Sequence, residues 1–191
     1  MKLQRKLVVL IVVLAQAMRL AMAQTAGIDA ALLTKANSGD AAAEVAIGDK
    51  YAAGDGVAQN YKLGAEWYGK AAALGNILGE IHLADCFRDG RGITRDMTQA
   101  AAWYRKAADQ GDASAQGTLA MLYTLGQGVP RSDVEAYYWL DLAAAVKGPN
   151  QARYAANRQN VGTRITADEL AAVEERVATW KAAHPRPDAA Q

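Results

Sequence analysis

One spacing, 36 residues, constrains this chain more than any other feature. Tyr51, Phe87 and Tyr123 stand 36 apart, and so do Gly54, Gly90 and Gly126; Gly56, Gly92 and Gly128; and Val57, Ile93 and Val129. Trp67, Trp103 and Trp139 keep the step, as do Ala72, Ala108 and Ala144. Columns that hold one register across three units mean that one local structure is built three times, which points to a stacked array.

Each unit reads as two helices. In the middle unit Asn76 is placed to cap a helix from Ile77 to about Arg88, the Gly90-Arg91-Gly92-Ile93 turn breaks it, and Asp96 is placed to cap a second helix to about Gln110. Asp40 and Asn60, then Asp112 and Ser132, repeat these roles. A side-chain oxygen there satisfies amide donors that the first helical turn leaves unpaired, and glycine in the turn accepts the positive φ of a chain reversal. Leu83, Ala84 and Phe87 share one face of the first helix, and Trp103, Ala107 and Ala108 share one of the second. Small residues let the helices approach and aromatic ones fill the gaps, so the tryptophans are expected to hold the stack. A lone pair leaves its outer face bare, and stacking covers it.

The full units are residues 41–76, 77–112 and 113–148. Residues 24–40 read as a half-repeat cap, in which Ile28 to Ser38 align with the end of a unit and Ala31 stands in the tryptophan column. Downstream the register is expected to fail, because the next tryptophan position falls on Glu175 and Gly148-Pro149 marks a break. Helices are expected over about 150–160 and 166–183 within a capping segment, 149–183. The second opens with the capping-box pattern Thr166-Ala167-Asp168-Glu169 and carries Leu170, Val173, Val177 and Trp180 on one stripe. Residues 184–191, with Pro185 and Pro187, read as a disordered tail.

The first 23 residues form a separate signal. Lys2, Arg5 and Lys6 make a basic start, Leu7 to Ala17 a mainly apolar run, and Ala21-Met22-Ala23 the small residues a signal peptidase accepts. The pattern predicts a secretory signal cleaved before Gln24. The alternative, an uncleaved anchor, is disfavoured because the apolar run is far shorter than the roughly 20 residues that span a bilayer. Loss of Lys2, Arg5, Lys6 and Arg19 reduces 21 bases to 17 against 20 acids, turning a net charge of +1 into −3. Nucleic acid is therefore not an expected partner, since phosphate binding needs a concentrated positive face. Cys86 is the only cysteine, so no intramolecular disulfide and no lipid-attachment cysteine after the signal are available. The expected location is periplasmic or secreted, without stable membrane insertion after cleavage.

The segments YAAGDGVAQNYKLGAEWYGKAAALGN, FRDGRGITRDMTQAAAWYRKAADQGD and YTLGQGVPRSDVEAYYWLDLAAAVKG resemble the Sel-one-like repeat family, relatives of tetratricopeptide (TPR) repeats. The shared pattern is an aromatic residue, G-x-G-V, a polar cap, W-Y and K-A-A-x-x-G. Unit three departs from it at Leu140, Leu142 and Lys147. The resemblance implies an all-α, TPR-like α-solenoid (superhelix) of tandem helix-turn-helix repeats. It also implies a scaffold that gathers partner proteins, in signalling, bacterial envelope processes or contact with a host.

A search for reactive constellations finds little. His82 and Cys86 share a helical face at i, i+4 with Asp85 adjacent, which could suggest a thiol nucleophile or part of a metal site. No further ligands stand at recognisable spacing, and His184 is the only other histidine. The Gly-x-Gly turns lack the Lys-Ser/Thr of a phosphate loop, while Glu169, Glu174 and Glu175 suit a solvated helix face. No catalytic, cofactor or metal residue is assigned. The expectation is a non-catalytic adaptor for a protein or peptide; the alternative is a hydrolase of a small or cell-wall substrate.

The first helix of each unit commonly lines the concave side of such an array. Its residues outside the packing columns form the candidate groove: Ala42, Val45, Ala46 and Asp49, then Leu78, Ile81, His82 and Asp85, then Ser114, Thr118 and Met121. Whether Val45, Ile81 and Met121 are open or packed beneath the caps stays undecided from sequence. An open groove suits an extended segment or an amphipathic helix, basic or apolar rather than acidic.

Overall fold

A computed structural model describes residues 27–185, which form helices α1 to α9 and no strand. α1 (Ala30–Asn37) opens the array. Three pairs follow: α2 (Ala41–Ala53) with α3 (Tyr61–Ala73), α4 (Ile77–Asp89) with α5 (Met97–Asp109), and α6 (Ala113–Leu125) with α7 (Asp133–Ala144). α8 (Gln151–Gly162) and α9 (Ala167–Ala183) close it. The architecture is the expected helix-turn-helix solenoid. The predicted export signal, residues 1–23, and the predicted tail beyond Pro185 lie outside the described residues.

The caps read from the sequence are made. Asp40 accepts from the amides of Ala42 and Ala43, Asn60 from Leu63, and Asn76 from Gly79. Asp96 accepts from Thr98 and Gln99, Asp112 from Ala115, and Ser132 from Glu135, while Thr166 and Glu169 form a reciprocal capping box. Each such cap contributes about 1 kcal/mol, so helix starts are fixed locally before packing acts.

The two glycines of each turn have different jobs. Gly90 ends α4 at φ 71°, its amide donating to the Cys86 carbonyl at 2.8 Å, a left-handed geometry that a Cβ resists. Gly128 marks a close approach: a Cβ there would lie 2.0 Å from the Met97 carbonyl oxygen. The turn of unit three therefore sits directly on the start of the second helix of unit two.

The tryptophan column, expected to hold the stack, packs unevenly. Trp139 is buried, but Trp67 and Trp103 are half-buried, with the Lys70 and Lys106 ammonium groups 3.5 and 3.6 Å from their ring centroids. The next residue in each unit, Tyr68, Tyr104 or Leu140, is buried throughout. That position faces the unit's own first helix and the following one. Tyr68 shows both contacts, since its hydroxyl meets Asp49 of α2 and its ring meets His82 of α4. One buried column is polar: Glu44, Glu80 and Gln116.

Beyond Gly148 the helix positions keep the 36-residue step, with α8 overlying α6 and α9 overlying α7. The residue columns fail here as expected, while the helix spacing persists with a changed packing face. Where α7 buries Ala136, Trp139, Leu140 and Leu142, α9 exposes Ala172, Glu175, Arg176 and Ala178. α9 instead buries Val173 and Val177 against the core of unit three, and Arg176 bonds Glu135 of α7 at 2.8 Å. α8 consequently exposes Ala152, Ala156 and Gln159, at positions where α6 buries Gln116, Ala120 and Tyr123. His184, expected in the tail, caps α9 with its ring stacked 4.2 Å from that of Trp180.

Candidate functional site

The first helices of successive units, α2, α4 and α6, followed by α8, present one continuous face. At its N-terminal half, hydrogen bonds tie the first helices to the second. The Tyr68 hydroxyl donates to Asp49 Oδ1 at 2.8 Å, and the Tyr104 hydroxyl donates to Asp85 Oδ1 at 2.5 Å. Burial, then these carboxylate bonds, push both phenol pKa values well above the usual range. The two hydroxyls are thus fixed donors. Arg88 Nη1 donates to the Tyr104 hydroxyl at 2.5 Å and lies 2.6 Å from Asp85, while its Nε bonds Asp89 at 2.8 Å. The Arg88 bond holds the Asp89 carboxyl below its ordinary value.

His82 and Cys86 do share a face of α4. His82 Nε2 lies 3.7 Å from Asp49, and its ring centroid is 4.8 Å from that of Tyr68. Cys86 is buried, and burial first, with Asp85 second, pushes its thiol up to about 11. A thiol so protonated at neutral pH is a poor nucleophile. Among the described residues no three His, Cys, Asp or Glu side chains are grouped to hold a metal ion.

Two pockets open on the first-helix face. One, of about 210 Å³, lies between α2, α3 and α4 and is lined by Tyr61, Tyr68, His82, Asp85, Arg88 and Arg91 among others. The other, of about 220 Å³, lies between α6, α7 and α8 and includes Met121, Thr124, Leu125, Leu140, Asn157 and Asn160. They occupy one place in the repeat. Tyr68, Asp85 and Arg88 of the first correspond, 72 residues on, to Leu140, Asn157 and Asn160 of the second. At the intervening position Arg88 fills the space beside Tyr104.

His82 and Asp85 line the first pocket, Asp49 stands beside it 3.7 Å from His82, and Met121 lines the second. Ala42, Leu78 and Ser114 are exposed at the starts of their helices, and Ala46 and Thr118 are half-buried. Val45 is a correction: at 6% exposure it belongs to the core between α2 and α3. Ile81 is likewise packed between the cores of units two and three. Both lie on the flank of the first helix that the neighbouring helices cover. The sequence reading missed Tyr61 at the start of a second helix, Arg88 at the end of first helix α4 and Arg91 in the turn after it, and Asn157 and Asn160, from a helix taken only as a cap. The 36-residue step extended to α8 was the signal that could have found the asparagines.

The fold and this surface define a helical-repeat protein built of stacked helix pairs. Residues 40–76, 78–112 and 113–145 match the Sel1 repeat, and the chain belongs to that family, whose members are often scaffolds for protein interaction. It is similar to c5321, a protective antigen present in uropathogenic Escherichia coli strains, with 33% identity, a TM-score of 0.69, and coverage of 78% of this chain and 32% of that one. A Sel1 repeat protein from Oxalobacter formigenes is 35% identical with a TM-score of 0.60, over 63% of this chain and 49% of the other. The chain thus spans about a third of the first relative and half of the second. Helicobacter pylori cysteine-rich protein B, 18% identical over 66% of this chain and 97% of its own with a TM-score of 0.51, shares the fold. No curated protein matches the chain. Among the described residues no helix is long and apolar enough to cross a membrane.

Proposed function

We propose that the chain is an exported, non-catalytic adaptor that holds a protein partner on the first-helix face, in a bacterial envelope or host-contact process. The observation that carries this reading is the unpaired apolar surface of that face. Leu78 at the start of α4 and Met121 and Leu125 together on α6 are 55%, 47% and 56% exposed, and large apolar side chains left open on one face mark interaction sites. The basic-then-apolar start ending in Ala21-Met22-Ala23 supports export, and the protective-antigen role of c5321 supports a host-facing setting. No observation favours the hydrolase alternative.

Affinity capture from an envelope extract tests the proposal, comparing the wild-type chain with a Leu78→Glu, Met121→Lys variant. Both positions are exposed, so the variant is expected to keep its melting temperature. Partners held by the wild type and lost by the variant place the interaction on this face; partners retained equally by both overturn the reading. Fractionation of the producing cell checks export, and a purely cytoplasmic, uncleaved chain contradicts it.

A further inference from the structure

We propose that the pocket between α6, α7 and α8 is the anchor subsite of this face, taking one large apolar side chain of an extended peptide whose main chain pairs with Asn157 and Asn160. The proposal rests on the adaptor reading above and names the ligand chemistry.

The argument begins with a coupled change between repeat columns. Position 49 is Asp, 85 is Asp and 121 is Met; position 68 is Tyr, 104 is Tyr and 140 is Leu. In units one and two the members of each pair are hydrogen-bonded to each other. Changing only the aspartate leaves the hydroxyl of a buried tyrosine without its partner, which is costly. Unit three changes both. The result removes the polar link and leaves an apolar floor of Met121, Leu140 and Val161 in the pocket of about 220 Å³. Met121 and Leu125, one helical turn apart, stay largely exposed there.

The rim supplies a different chemistry. α8 brings Asn157 and Asn160 to the pocket at the positions held by Asp85 and Arg88 two units earlier. Asn160 accepts from Arg164 Nη1 at 2.7 Å through its Oδ1, which leaves its NH2 group to donate. A carboxamide offers both donor and acceptor, the complement of a peptide unit. Charge points the same way. Arg164, the cation among the described residues lining the rim, is held by both oxygens of Asp133, at 2.7 and 3.0 Å, and is already neutralised. A carboxylate or phosphate finds no free counter-charge at this rim, whereas an uncharged main chain fits it. An apolar pocket oriented by a few polar groups is the usual form of a specific site.

A random-peptide display library, panned on the full chain, tests this. Enriched peptides are expected to share one large apolar residue. Replacing that residue by Ser, or Met121→Asp in the protein, is expected to weaken binding by about tenfold or more, as loss of an anchor does. Asn157→Ala weakens it by about threefold, and Tyr61→Ala, in the other pocket, leaves it unchanged. Met121, Asn157 and Tyr61 are all exposed, and unchanged melting temperatures confirm that the variants fold. Absence of any enriched peptide, or equal binding to Met121→Asp, overturns the subsite. Dependence on Tyr61 instead of Met121 also overturns it while leaving the adaptor reading standing. Self-association abolished by Met121→Asp would assign the pocket to a second copy and overturn the peptide. Envelope partners indifferent to the Leu78→Glu, Met121→Lys variant end the adaptor reading on their own.

Discussion

Glu44, Glu80 and Gln116 hold one position of the repeat, all nearly covered, yet they are solved differently. Gln116 Nε2 donates to the Ala108 carbonyl at 3.1 Å, Glu80 accepts from Gln110 Nε2 at 2.9 Å, and Glu44 leaves Oε2 without a partner. Burial raises the Glu44 and Glu80 carboxyl pKa values above the ordinary 4.5, against the lowering effect of Lys70 and, for Glu80, of Gln110 and Lys106. A glutamine at 80 could keep the bond from Gln110 and also donate to the Ala72 carbonyl, the counterpart of Ala108 one unit earlier. Glu80→Gln is therefore expected to stabilise the protein by about 1 kcal/mol at pH 7, read as a rise of a few degrees in melting temperature. The sign with pH follows from the raised value: the charged form is disfavoured in the fold, so wild-type stability falls as pH rises through the carboxyl range. The advantage of Glu80→Gln should be full at neutral pH and gone below about pH 4. Equal advantage at both pH values would assign the effect to packing.

At the scale of elements, Asp141 on α7 locks the two closing helices together. Its carboxylate pairs with Arg158 of α8 and bonds Lys181 of α9 at 2.8 Å, with its side chain 14% exposed. Burial works against the charged form, but the bonds from Lys181 and Arg158 outweigh it and hold the carboxyl below its ordinary 3.8. A lowered carboxyl value means stability that is present above about pH 4 and lost as pH falls through the folded-state value. Asp141→Asn is expected to cost about 1 to 2 kcal/mol at pH 7, between the worth of exposed and buried pairs. That gap should close in acid denaturation below about pH 3. Helices and caps were legible in the sequence because both are written in neighbouring residues: an Asx or Ser side chain reaches amides two or three positions on, and glycine marks its own reversal. The direction in which α9 packs was harder to read. Its stripe of Leu170, Val173, Val177 and Trp180 announces one apolar face without naming the partner, and only the loss of the α7 pattern at Glu175 and Arg176 hints that α8 goes uncovered. Val45 was misplaced for a related reason, since both flanks of a first helix carry apolar residues and a single helix does not say which flank its neighbours take. Of the candidate site, Asp49, His82, Asp85 and Met121 were legible. Asn157 and Asn160 were not, because α8 keeps the step of the repeat without its aromatic and glycine signature.

Across the whole molecule, cover is unequal. The repeats from α2 to α7 are enclosed by first and second helices in turn, and closely seated turns such as Gly128 on Met97 join one unit to the next. α8 is different. Tyr154 anchors it on α6, where a Cβ on Gly117 would meet the Tyr154 ring at 2.3 Å, but its outer flank faces solvent. In a repeat array stability is local and passes between neighbours, and segments with fewer buried contacts open first. Native-state hydrogen exchange is expected to show α8 amides exchanging well before those of α6; equal protection would mean that the closing helices unfold only with the rest. The consequence falls on the pocket of Met121, Asn157 and Asn160, one wall of which is this helix with its open outer flank. A ligand seated there braces the wall as well as touching it, so occupancy should register as slowed exchange along α8 even in amides that the ligand never reaches.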